Sequence, residues 1–170
     1  MLKKQVLYAV LWGVCISLLW GTCSCARERT AMEVLTVMCE SVESLPAGRI
    51  YRKDAEEGET AYLPPFLCAA LYGEADPPPE MELIEDYALY LSSFATPFEL
   101  AVFRCYAGSD TDKVADMCLH RLRHLSDFFR EGEEADVVDA ASVVVMGRYV
   151  VFVVSEESER ILSVVWGAIR

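Results

Sequence analysis

The chain has 170 residues, 54% hydrophobic and 25% charged, with 15 Lys plus Arg against 27 Asp plus Glu and a formal net charge of −12. That much apolar material suffices for one packed domain with a short appendage and excludes a disordered chain. The acidity excludes a nucleic-acid-binding surface, repels anionic lipid headgroups and favours cationic partners.

Lys3 and Lys4 precede an uncharged run from Gln5 to Ala26, largely apolar from Val6 to Trp20. A basic start, an apolar stretch and a small-residue site form an export signal. Three outcomes are open. Ser24-Cys25-Ala26 fits a cleavage site that frees Arg27. Cys25 or Cys23 could carry a lipid, although the residues before them depart from the usual Leu-small-small-Cys pattern. Leu7 to Ala26 approaches the ~20 residues that span a bilayer, so an uncleaved anchor also fits. Each outcome places the body outside the cytoplasmic membrane. Removing residues 1–26 removes two lysines and no acids, so the body is more acidic than the whole chain.

The expected organisation is a signal or anchor over 1–26, a helical extension over 27–80 that packs on the core, and a core domain over 81–170. Arg27 to Glu43 reads as a helix capped by Thr30, with Met32, Leu35, Cys39 and Val42 on one face. Arg49 to Glu59 has no apolar period and reads as a solvated loop. Pro64-Pro65 opens a short helix with Phe66, Leu67, Ala70 and Leu71 inward, closed by Gly73. Pro77-Pro78-Pro79 is a stiff connector. Tyr87 to Phe94 and Glu99 to Tyr106 read as strands. Gly108-Ser109-Asp110 caps a helix over Thr111 to Phe129, whose stripe is Val114, Met117, Cys118, Leu122, Leu125, Phe128 and Phe129, with Arg121 snorkelling at its edge. Glu131 to Glu134 reads as a charged turn.

Ser142 to Ser155, SVVVMGRYVVFVVS, is the strongest signal in the chain. Two β-branched and aromatic runs flank Gly147-Arg148, a two-residue hairpin turn with Gly147 free to take positive φ. Met146 then faces Tyr149, and Val143 faces Phe152. Both faces of this hairpin are apolar, so each needs a cover. Helices of the same chain are the first expectation, and a partner on part of one face is the second. Ser155 caps a last helix with Ile161, Leu162, Val165 and Ile169 inward. The fold class is therefore α+β: a two-layer sandwich of helices on an antiparallel four-stranded sheet, preceded by the N-terminal signal or anchor helix.

This order of motifs resembles a known family. Leu45-Pro46-Ala47-Gly48 with Tyr51, Ala69-Ala70-Leu71-Tyr72-Gly73, Glu99 to Phe103, the Asp112 to Leu125 helix and Met146 to Val150 resemble the bacterial domain-of-unknown-function family 4358. Its members are exported proteins and lipoproteins, largely of Gram-positive anaerobes. The resemblance spans about Met32 to Ile169 and rests on motif order. It implies an extracytoplasmic location. The family has no assigned activity, so it implies no catalytic residue.

Few residues here suggest chemistry. His120 and His124 are four apart on one helix, with Asp116 four before His120. That spacing holds a divalent ion only with further ligands from elsewhere, and Arg121 and Arg123 oppose a cation. A solvated helix face is the expected role. Asp110-Thr111-Asp112 lacks the ligands of a calcium loop and reads as a helix start. No serine-nucleophile context or phosphate loop is present. Cys39, Cys68, Cys105 and Cys118 sit in apolar segments and read as buried thiols rather than disulfides. No cofactor is implied. The leading expectation is a non-enzymatic, envelope-associated domain that binds an envelope protein or other component. The alternative is a small extracytoplasmic metal-dependent hydrolase using the two histidines and an acid. A structural accessory subunit of a membrane complex is a third.

Overall fold

A computed structural model describes residues 27–73, 78–93 and 96–169. The leader, with Cys15, Cys23 and Cys25, lies outside the described residues, as does Phe94 at the expected end of a strand. In chain order the elements are α1 (Ala31–Ser41), β1 (Gly48–Arg52), α2 (Pro65–Tyr72), β2 (Ile84–Ser92), β3 (Glu99–Cys105), α3 (Thr111–Phe128), α4 (Glu133–Asp139), β4 (Ser142–Met146), β5 (Tyr149–Val154) and α5 (Ser158–Ile169), with 3-10 turns at Pro79–Leu83 and Gly108–Asp110. No described helix is long and apolar enough to cross a membrane.

The strands form one open antiparallel sheet in the order β1-β2-β3-β5-β4. The fold is α+β as expected, but the sheet has five strands, not four. The added strand is β1, in the stretch read as a loop. Its sequence GRIYR has two apolar residues among two arginines and a glycine, too little for a periodic signal. Pairing supplies what the pattern lacks: Tyr51 lies opposite Leu89 and Ile50 opposite Tyr90. Charge on such a strand suits an edge.

The C-terminal hairpin has the expected register, Met146 opposite Tyr149 through Val143 opposite Phe152. Gly147 has φ +64°, which a two-residue turn of this type requires. Every residue of β5 is buried. One face of the sheet carries α1 and α5, packed over Ala88, Leu100, Val102, Val151 and Val153. The other carries α2 and α3 over Leu89, Ala101, Phe103, Val150 and Phe152. Helices therefore cover both faces, and the two-layer expectation becomes three layers. The cause is that β3 and β5 are apolar on both sides, so each side needs its own cover.

Local signals explain most element ends. Thr30 accepts from Glu33 N while Glu33 Oε2 accepts from Thr30 N, a reciprocal capping box that starts α1. Pro65 occupies the first turn of α2, where its missing N–H costs nothing. Ser155 Oγ accepts from Glu157 N ahead of α5. Elsewhere the expectations need correction. Asp110 makes no side-chain cap; the Thr111 hydroxyl donates to Gly108 O and closes the turn. Cys68, Leu71 and Tyr72 form the inner face of α2, whereas Phe66 is 70% exposed. The charged turn at Glu131 leads into α4, which buries Val138.

Candidate functional site

Glu99 opens β3 at an inward-facing position of a central strand, and its side chain is only 2% exposed. A buried carboxylate is costly unless both oxygens are engaged. Here Tyr72 OH donates to Oε1 at 2.6 Å, and Arg121 Nε donates to Oε2 at 2.9 Å. Tyr72 comes from α2 and Arg121 from α3, so one carboxylate ties two helices to the sheet. The Tyr72 ring also meets Phe103 edge-on, with centroids 5.5 Å apart. Burial, with the adjacent Glu99 charge, pushes the Tyr72 phenol well above its usual range. Arg121 was expected to snorkel towards water. It turns inward instead, towards the Glu99 carboxylate.

Beside this pair lies a groove of about 750 Å³, within the size range of small-molecule sites. It sits where α2, the end of α3, the start of β1 and the β2–β3 connection meet. Its inner lining is largely apolar, with Tyr51, Leu71, Phe98 and Leu125 all buried. Its rim is exposed and carries Arg49, His124 and Phe128, the last 78% exposed. Gly48 also lines it. A Cβ there would lie 2.7 Å from the Tyr90 ring and closer still to the Leu91 carbonyl oxygen, so only glycine lets β1 approach β2 here.

The polar groups of the lining are mostly committed. Ser92 Oγ donates to Thr96 O, and Thr96 Oγ1 donates to Ser92 Oγ, both at 2.8 Å. Among the described residues Glu99 is the only carboxylate in the lining, and it is already held. No cysteine lines the groove. Two basic groups are less occupied. Among the described residues Arg121 is engaged only through Nε, and the Arg49 side chain has no ion pair or hydrogen bond.

Of the three candidate metal ligands, the two histidines are neighbours, and Asp116 borders a different depression from His124. The His120 and His124 rings lie 4.2 Å between centroids, as their spacing implies. His124 faces the groove, whereas Asp116 borders a separate shallow depression with Leu119, Leu122 and Arg123. His120 Nε2 is buried without a hydrogen-bond partner. Among the described residues no group of three or more His, Cys, Asp or Glu is arranged to hold a metal ion. Cys68, Cys105 and Cys118 are buried and Cys39 is half-buried, all as thiols. Burial raises Cys39 and Cys105 to about 11 and Cys118 well above the usual thiol range, the wrong direction for a nucleophile.

Sequence reasoning did not identify this site. Glu99 and Arg121 are far apart in the chain, and the groove depends on a strand that has no periodicity. The nearest signal was an acid at the head of an otherwise apolar strand, followed by an arginine at the edge of an apolar helical stripe. Comparisons with family models, curated proteins and solved structures find no match to this chain.

Proposed function

We propose that this protein is an extracytoplasmic, non-enzymatic binding domain whose ligand occupies the groove beside Glu99. The observation that carries the proposal is an apolar groove in which Glu99, the one carboxylate among its described lining residues, is fixed on both oxygens. Such a carboxylate supports shape rather than acid–base chemistry, which needs a group free to exchange a proton with substrate. In the hairpin, β5 is packed under helices of its own chain, whereas edge strand β4 is only part-buried with Val145 40% exposed, and the binding role is assigned to the groove. The leader-like residues 1–26 and the resemblance to an exported family support placement outside the cytoplasmic membrane. The domain is then either released or held at the membrane, by a lipid at Cys25 or Cys23 or by the segment itself.

The test uses a neutral apolar fluorophore, 1-N-phenylnaphthylamine, with wild-type protein and Ala70→Trp. Ala70 lines the groove from the exposed side of α2, so an indole there fills space without entering the core. Saturable binding by wild type, weakened at least about tenfold in the variant at unchanged melting temperature, is expected. Equal binding by both proteins removes the groove from consideration.

A further inference from the structure

The charge around the groove runs against that of the chain. Overall, 27 acids face 15 lysines and arginines. Among the described lining residues the balance is reversed: Arg49 and Arg121 stand with one acid, Glu99, which Arg121 already pairs. Among the described residues the Arg49 side chain has no anionic partner, and neither terminal amino group of Arg121 makes a hydrogen bond. A guanidinium beside a low-dielectric wall attracts an anion more strongly than one in open water. Its planar fork suits a carboxylate.

The rest of the lining asks for something different. Leu67, Leu71, Leu91, Phe98 and Leu125 present hydrocarbon, and Phe128 stands over the groove with most of its ring in water. An occupant that covers these groups gains about 25 cal/mol for each Å² of apolar surface removed from water. One ligand class satisfies both requirements. We propose that the groove binds a single-chain amphiphile, with its hydrocarbon chain along the leucines and Phe128 and its terminal carboxylate against Arg49 and the free amino groups of Arg121. This rests on the groove being the binding site and adds the chemistry of its ligand.

The full chain is titrated with submicellar octanoate, decanoate and dodecanoate, and with dodecanol, by displacement of 1-N-phenylnaphthylamine. Each added methylene should tighten binding by about fourfold. Dodecanoate should bind about tenfold more tightly than dodecanol, because only the acid forms an ion pair with the guanidinium groups. Arg49→Gln should reduce that preference two- to fivefold, roughly the scale of an exposed ion pair, and leave dodecanol binding unchanged. Dodecanol binding as tightly as dodecanoate, or a preference unaltered by Arg49→Gln, would overturn the carboxylate assignment while the groove stands. Failure of both the neutral fluorophore and every chain to bind overturns the groove itself.

Discussion

At the scale of single residues, the buried Glu99–Arg121 pair is the most consequential contact on the α2/α3 side of the sheet. Taking a carboxylate and a guanidinium out of water costs nearly as much as their attraction returns, so the pair adds little net stability as a unit. Removing one partner is different, because it leaves a buried charge with only Tyr72 for company. Arg121→Met should therefore lower unfolding free energy by about 3–5 kcal/mol in urea denaturation. Adding Glu99→Gln to it should recover most of that loss, since a neutral amide can still accept from Tyr72. A double variant as unstable as the single one would show that geometry, not charge, dominates here. None of this was legible from the residues alone. An acid at a strand start reads as solvated, and an arginine at a stripe edge reads as snorkelling, until tertiary structure brings them to 2.9 Å.

At the scale of elements, legibility followed local repetition. The C-terminal hairpin was readable to the register because the turn residue, the β-branched runs and the two-residue loop all specify the same pairing. Gly147 carries that turn at φ +64°, and a Cβ there would meet nothing within 4 Å. Gly147→Ala should thus cost only conformational strain, about 1–3 kcal/mol by thermal or chemical unfolding, with the sheet register retained in amide-exchange patterns. No loss of stability would mean the turn had changed type. Helix α1 was readable from its Thr30 cap, although its buried face is Ala31, Val34, Leu35 and Met38 and shares only Leu35 with the expected stripe; α3 was readable from its stripe, although Phe128 lies outside the core. The misses were β1 and α4. Both are short, both are charged, and both exist because neighbours hold them: β2 pairs β1 along its length, and α4 packs on α3. Propensity in five- to seven-residue segments is weak beside such contacts. The third layer was missed for a related reason. Alternating apolar faces announce that a cover is needed, but not which helices provide it.

At the scale of the whole molecule, buried thiols and phenols should control alkaline stability. Burial, the largest cause in each case, raises Cys39 and Cys105 to about 11 and Tyr87 to about 12. Cys118 and Tyr72 are raised further. Folded, these groups hold their protons where the unfolded chain has lost them. Their contribution is complete below the ordinary thiol range of about 8.5 and is lost as pH rises through about 11. The urea midpoint should accordingly fall between about pH 8 and pH 10.5; a constant midpoint would contradict the burial of these groups. The sheet also has two dissimilar ends. At one, Arg104 Nη1 and Tyr149 OH donate to the Arg29 carbonyl oxygen, and Arg148 pairs with Glu28, so the chain preceding α1 is moored there. At the other, Glu99 and Gly48 flank the groove. The span from Arg104 to Glu99 is about 17 Å at the usual strand rise. Under the proposed export, a tether fixed upstream of Arg27 would therefore grip the molecule by the pole opposite the groove.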